Sequence, residues 1–534
     1  MKENMKAIYK ILTLVVAGAA LASCVNLDPA PSGSTITSEQ KSQTVEKNPE
    51  RVSAGVTGIT ALFSVYQRGN PDYERHNDFG YGAVMLFTDT RGIDVIGEDI
   101  GYNWFSYGLD MITDRQSSSL ITQNIWNTMY HQIFAANAVA GSGDVNTEDS
   151  TNQFYLAQAY GIRAFDYFTL AQLYQFTYKG HESAACVPLI TDENSDQAAL
   201  EGAPRATVQQ VYDQILNDIN TAVTLLEKSK TSRPDKRYLD LYSALGLRAR
   251  IKLVMQDWSG AAADAQRVIN ESSATPISWA EAAKPGFQKM TEKNWMWGIS
   301  IAETDRVVTS GIVNWLSHRG SLNYGYASVG AWRFVNKSLY NQIQASDARK
   351  GWFLDENSLS VNLTDEQQDY VKETAIPPFV QVKFAPYKDE LYTSTNSNDI
   401  PLMRIEEIYL ILAEAQAMSG STAEGVATLN SFVTTYRDPE YSCTATSAKA
   451  IQDAVWLQRR IELWGEGLSY YDIMRRGQGI DRRGAGFASQ FVFVLNGDDP
   501  IFIFEIPEGE IQANPQLTEA DNNPAASTPS PVAE

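Results

Sequence analysis

The chain is short of the residues that most often carry chemistry. Three cysteines in 534 residues exclude a disulfide-stapled scaffold. The four histidines, His76, His131, His181 and His318, include no pair at helical metal-ligand spacing. No phosphate-cradling glycine loop and no nucleophile elbow occurs. Positive charge is scarce as well: 43 Lys and Arg stand against 64 Asp and Glu, a formal net charge of -21. Such a balance excludes holding nucleic-acid phosphates or anionic lipid by bulk charge, and on charge alone a neutral ligand is expected. Long apolar runs are missing too. The run from Ile11 to Leu21 is about half of the roughly 20 residues that a bilayer-spanning helix needs.

That short run has a different meaning. Lys2, Lys6 and Lys10 precede it and Leu21-Ala22-Ser23-Cys24 ends it, the pattern of a secretory signal. Leu-Ala-Ser-Cys also has the form of a bacterial lipobox, in which cleavage precedes the cysteine and its thiol is acylated. An ordinary signal with an incidental cysteine is the alternative. One acyl chain binds a membrane marginally and two or more hold stably. Residues 1–23 are therefore read as a lipoprotein signal and 24–50 as a flexible tether rich in Ser, Thr, Pro, Gln and Lys. The signal carries a net +2, so the mature chain from Cys24 has a formal charge of -23. Cys186 and Cys443 remain, to pair or to stay as buried thiols.

What is present is a globular composition, 43% hydrophobic and 20% charged, with 11 Trp and 26 Tyr. Helical spacing runs through Val52 to Tyr66, Ile125 to Phe134 and Phe154 to Phe176. It is clearest in Val208, Val211, Tyr212, Ile215, Ile219, Ala222, Val223 and Leu226, with Thr207 and Gln210 as a capping box. Leu239 to Met255, a turn at Asp257-Trp258-Ser259-Gly260 and an Ala-rich helix to Ile269 resemble a tetratricopeptide pair, without a strict repeat of 34. Asn70 to Asp114 is punctuated by glycine and reads as a long functional loop. Trp295 to Ile301 alternates as a half-buried strand, helix is expected to resume at Pro401, and the tail from Asn514 is expected to fray.

Candidate chemistry is sparse. Glu462 and Glu466 share a helix face and could mimic a glycosidase pair, but Arg459 lies one turn before Glu462, so a structural ion network is the reading. Glu406 and Glu407 are adjacent and point apart. Asp192, Asn194 and Asp196 start like a calcium loop, yet Gln197 and Ala203 occupy its glycine and glutamate positions, leaving a plain acidic turn. Trp126, Trp258, Trp295, Trp297, Trp456 and Trp464 fall in periodic segments and read as core. Tyr102, Trp104, Trp315, Tyr324, Tyr326 and Trp332 fall in Gly-, Ser- and Asn-rich stretches, where a surface platform competes with core packing.

Four stretches resemble the SusD/RagB family of surface nutrient-binding lipoproteins. They are the lipobox with Leu27-Asp28-Pro29; Pro401-Leu402-Met403-Arg404-Ile405-Glu406-Glu407-Ile408-Tyr409 with Ala413-Glu414-Ala415; Arg459 to Gly467 with Tyr471-Asp472-Ile473-Met474-Arg475-Arg476-Gly477; and Ile506-Pro507 with Glu510-Ile511 and Asn514-Pro515. Their order spans essentially the whole mature chain. The resemblance implies a mainly α fold with degenerate tetratricopeptide-like helix pairs in an N-terminal region, 51–270, and a looser ligand-binding C-terminal region, 271–534. It implies an outer-membrane, cell-surface position and a partner, a SusC-like TonB-dependent barrel. It implies no enzyme activity, cofactor or metal. The ligand expected is an extracellular glycan, stacked on the aromatic loops near Trp104, Trp315, Tyr324, Tyr326 and Trp332, with Arg91, Asp94 and Asn103 as polar contacts. The alternatives are a tethered glycoside hydrolase, a peptide binder and a helical-repeat scaffold.

Overall fold

The computed structural model describes residues 50–66, 76–98, 104–311 and 314–533. The expected signal, tether and Cys24 lie outside these residues, as do Tyr102 and Asn103.

Helices dominate, and local chemistry starts most of them. Asp149 caps Ser150–Tyr174 by accepting from the Asn152 amide. Thr207 and Gln210 close the expected capping box on Val208–Lys228. Asp240 and Asp257 cap Leu241–Met255 and Trp258–Glu271. Between those two helices Gln256 takes a left-handed conformation, φ 61°, which reverses the chain in a tight corner.

The apolar faces assemble these helices into one layer. The stripe from Val208 to Leu226 is buried at every position named above. Leu120–Ala140 packs on Ser150–Tyr174, which packs on Val208–Lys228, then come Leu241–Met255 and Trp258–Glu271. Glycine permits the closest approaches: a Cβ at Gly161 would stand 2.4 Å from Leu239 Cδ1, and one at Gly246 2.6 Å from Met403 Sδ. The layer continues past residue 270. Ile405–Met418 lies against Trp258–Glu271, and Thr422–Tyr436 and Ala448–Glu462 lie against it in turn. One apolar core holds side chains from Val52 to Leu517. Cys186 and Cys443 are buried and unpaired.

Several elements differ from the sequence reading. The glycine-punctuated loop contains a helix, Tyr81–Arg91, in which every residue is buried. A helix without a polar face has no amphipathic period to detect. Helix begins at Ile405, because Ile400–Arg404 is a strand paired antiparallel with Trp295–Ile299, Pro401 opposite Gly298. Proline is tolerated there since each strand of a two-stranded ribbon is an edge. Trp295–Ile299 is buried on both faces, not one. The tail does not fray at Asn514. Asn514 exchanges hydrogen bonds with the Ala203 backbone, and Asn523 Nδ2 donates to the carbonyls of Tyr174 (2.7 Å) and Phe504 (2.6 Å). A polar composition concealed buried, satisfied amides.

A buried ion network binds the helical layer to the looser segments. Glu462 accepts from Arg437 (2.7 and 2.9 Å), Arg404 (3.1 Å) and Arg349 (3.2 Å). Glu466 accepts from Arg404 and Lys383, each at 2.7 Å. Arg459, the expected partner of Glu462, instead holds Asp472 at 2.7 Å. Glu406 pairs with Arg404 and Arg437, while its neighbour Glu407 turns to Arg250. Burial alone would push the Glu462 carboxyl up; Arg437, Arg404 and Arg349 reverse this and hold it well below the usual carboxylate range. Glu462→Gln leaves three buried guanidiniums short of an acceptor and is expected to cost about 3–5 kcal/mol, measured by denaturant unfolding at pH 7. The folded carboxyl titrates below its unfolded value of 4.5, so its stabilisation is whole above that pH and is lost as pH falls through the folded value. The variant should lose less stability than wild type on acidification below pH 4.5, and equal slopes would show that Glu462 is not the group being titrated.

Candidate functional site

The site grows from a strained residue. Phe105 has φ 59°, a left-handed conformation that costs an L-residue roughly 1–2 kcal/mol. Its ring is fully buried and packs on Phe87 and His318, each at 4.7 Å between centroids, and on Phe79 at 5.7 Å. That burial offsets the strain and fixes the residue before it. Trp104 is half-buried, and its indole stacks on His76 at 5.2 Å with 8° between planes. His76 in turn meets Tyr326 edge-on at 6.1 Å and His318 at 6.5 Å. His318 lies 4.5 Å from Tyr326 and stacks on Phe79 at 5.9 Å. His76, Phe79, Trp104 and Phe105 thus meet His318 and Tyr326 in one aromatic cluster.

A second ring pair flanks it. Tyr324 is half-buried and packs on Tyr392 at 5.3 Å, and Tyr392 is 59% exposed. Backbone bonds hold the two loops together: the Tyr324 N–H donates to Thr393 O (2.8 Å) and the Tyr392 N–H to Leu322 O (3.0 Å). Asn323 donates to Asn396 (2.5 Å), which donates to Tyr324 O (3.1 Å).

Other residues expected at the site are placed differently. Arg91 is fully buried in the helix Tyr81–Arg91, paired with Asp114 and covered by the Phe504 ring at 4.6 Å. Asp94 is buried and accepts from Arg460 (2.6 Å) and Ser469 (2.9 Å). Trp315 opens a short helix, Trp315–Arg319, is 1% exposed, and meets Phe384 edge-on at 5.0 Å. Trp332, 8% exposed, packs with Leu322, Leu354 and Val380 in a satellite core. Tyr326 is buried within the cluster. Gly, Ser and Asn around these rings mark irregular backbone, which is a statement about φ and ψ and not about exposure. Among the residues expected to stack, Trp104 and Tyr324 reach the surface. His76, His318 and Tyr392 were missed: each is isolated in sequence and gains meaning only from the loops that converge on it.

Burial perturbs the polar groups in and next to the cluster. Asp89 and Arg319 form a fully buried ion pair, and burial pushes the Asp89 carboxyl up to about 6 and draws Arg319 down. Burial, with help from the cations Arg333 and Arg319, holds His318 well below its ordinary value, so it is neutral. A cleft of about 620 Å³ elsewhere is lined by Gln288, Asn294, Asn362 and Gln367, and one of about 610 Å³ is walled by Phe334, Phe379, Phe487 and Phe491. Neither includes Trp104 or Tyr324. Among the described residues no group of His, Cys, Asp or Glu could hold a metal ion, and no helix is long and apolar enough to cross a membrane. Asp192 of the acidic turn is engaged by Arg163 at 2.5 Å.

The mainly helical fold is that of solved SusD-superfamily structures. The solved SusD-like carbohydrate binding protein of Bacteroides vulgatus superposes with a TM-score of 0.71 at 22% identity, covering 88% of this chain and 97% of its own. A laminarin binding SusD-like protein superposes with a TM-score of 0.61 at 19% identity, covering 89% and 98%. In sequence, SusD-like protein P2 of Formosa agariphila is 25% identical over 426 residues, 75% of this chain and 79% of that protein. One family model, described as starch-binding and associating with the outer membrane, matches residues 98–253, and that of the SusD family matches 355–524. The chain belongs to the SusD/RagB family.

The geometry separates two tryptophans that composition alone groups together. Trp104→Ala is expected to weaken glycan binding more than tenfold, about 2 kcal/mol, with little change in melting temperature. Trp332→Ala is expected to cost about 3–5 kcal/mol of stability through a cavity, while the folded fraction binds as wild type does. Calorimetric titration beside melting curves reads both, and the reverse pattern would move the platform to Trp332.

Proposed function

We propose that this protein is an outer-membrane surface lipoprotein that binds an extracellular oligo- or polysaccharide and delivers it to a SusC-like TonB-dependent barrel. The observation that carries the reading is the Trp104 indole held flat on His76 at the surface, with the Tyr324–Tyr392 pair on the loop that also supplies Tyr326. The C–H face of a sugar packs on such rings, and its hydroxyls need polar partners at the rim. Family membership supports the ligand class, and one structural neighbour is itself named for laminarin binding.

The binding role is favoured over hydrolysis by what the carboxylates do. Glycoside hydrolysis needs two carboxyl groups free to flank one bond, roughly 5–10 Å apart. Glu462 and Glu466, the pair that the sequence offers, are fully engaged by Arg349, Arg404, Arg437 and Lys383. The lipid anchor rests on Cys24 and its lipobox. The delivery step rests on the family resemblance.

Incubating the purified mature chain with a glycan array, followed by product analysis, tests the reading. Binding without cleavage is expected. Cleavage would make it a hydrolase, and silence across the array would point to a peptide ligand or a scaffold. Cys24→Ala is expected to leave the fold unchanged and to release the protein from membranes in cells lacking the barrel. Continued sedimentation with the outer membrane would exclude the acyl anchor.

A further inference from the structure

The cleft of about 620 Å³ shares a loop with the Tyr324–Tyr392 pair. Asp389 and Leu391 line it, and Tyr392, the next residue, packs on Tyr324. The backbone of this loop is strained. Lys388, Asp389 and Tyr392 have φ of 55°, 60° and 60°, and Phe287, which also lines the cleft, has 66°. L-residues held in the left-handed region gather where a surface is shaped for a purpose.

The walls carry hydrogen-bonding side chains whose capacity is only partly used. Gln288 spends Nε2 on Pro386 O and Asp389 Oδ1, each at 2.8 Å, which leaves Oε1 as an acceptor. Asn294, 1% exposed, gives Nδ2 to Glu406 (3.0 Å), and its Oδ1 has no partner. Asn362 gives Nδ2 to Ala348 O (2.8 Å), which leaves Oδ1. Gln367 Oε1 accepts from the Thr364 N–H (3.0 Å), which leaves Nε2 as a donor. The carboxylates of the walls, in contrast, are engaged. Glu281 accepts from Lys293 (2.6 Å) and from Ser278, and Glu292 accepts from the backbone N–H groups of Gln288 (2.8 Å) and Lys289 (3.3 Å).

This inventory selects a ligand class. With the charges engaged, neutral amides are left to recognise what enters, and their spare oxygens outnumber their spare nitrogens. A partner rich in O–H donors, with C–H groups to set against Phe287 and Leu391, satisfies both demands. The space is also open. Gly286 lines the cleft with φ outside the left-handed region, and a Cβ built there meets no atom within 4 Å.

We propose that this cleft is a second glycan subsite, which takes an uncharged sugar unit of a chain that also crosses the Tyr324–Tyr392 pair. The inference rests on the glycan reading above and deepens it. Two contacts joined by one short stretch of chain reinforce each other, so occupancy of the cleft adds affinity to the ring contacts.

The test uses the mature chain as wild type and Gly286→Trp, in which an indole fills the cleft. Each is titrated calorimetrically with linear hexasaccharides of a β-glucan, an α-glucan, a β-mannan and a polyuronate. A neutral hexasaccharide is expected to bind wild type more tightly than the polyuronate, and Gly286→Trp is expected to weaken it about tenfold. Hydrogen exchange of the wild type reads the same site without a substitution. The bound neutral hexasaccharide is expected to slow the amides of 286–292 and 362–367, and this decides the matter if Gly286→Trp fails to fold. Unchanged exchange there, unweakened binding in folded Gly286→Trp, or a polyuronate bound more tightly than every neutral chain would overturn the subsite and leave the glycan reading standing. Failure of all four hexasaccharides to bind wild type would overturn both.

Discussion

Glu462 is the carboxylate on which distant parts of the chain converge. It closes the helix Ala448–Glu462, and its oxygens hold Arg404 from the strand beside Trp295–Ile299, Arg437 from the end of Thr422–Tyr436, and Arg349 from a turn in the loop-rich region. Lys383 adds a further segment by donating to the Glu462 and Trp464 carbonyls, at 3.0 and 2.8 Å. Three buried guanidiniums around one anion would be untenable alone; Glu406 and Glu466 share the charge, so the network works as a unit. The same turn reaches the segments that carry the aromatic cluster. Trp464 Nε1 donates to Asp94 O at 2.7 Å, and Gly467 N–H to Asp89, the counter-ion of Arg319. Helix layer, ion network and aromatic cluster therefore form a continuous chain of buried polar contacts. An aromatic cluster assembled from loops is held by the polar contacts around it.

How much of this was legible in the sequence follows from the kind of signal each element carries. Val208–Lys228 was readable because it is half-buried: its apolar stripe and Thr207–Gln210 box are local facts. Tyr81–Arg91 was not, because a helix buried on all sides has no contrast between faces, and its flanking glycines mimic a loop. Pro401 misled by position: proline suits a helical first turn, and it suits an edge strand equally well. The ion network was foreseen as structural, but Glu462 found its partners at 349, 404 and 437 instead of at Arg459 one turn away. Sequence proximity identifies a possible ion pair, while burial decides which is made.

The site shows the same division. Trp104 and Tyr324 lie where their loop context suggested, at the surface. Arg91 and Asp94 were selected for proximity to Trp104 in sequence, yet one ends a buried helix and the other receives Arg460, 366 residues away. His76 and His318 carried no pattern because their role is mutual: one supports the Trp104 ring, and the other, kept neutral by burial, supports Tyr326.

Net charge bears on the ligand only at long range. A chain with 64 acidic and 43 basic residues argues for a neutral ligand if charge is treated as one number. A binding site does not see that number, because exposed charges beyond about 10 Å are screened at physiological salt. What a bound group meets is the local balance, and around His318 that balance is mixed: Arg319 pairs with Asp89, whose carboxyl burial pushes up to about 6, and Arg333 lies within electrostatic reach of both Glu98 and Asp89. Net charge therefore governs steering at long range, while the groups within a few ångströms of Trp104 and Tyr324 govern what is held there.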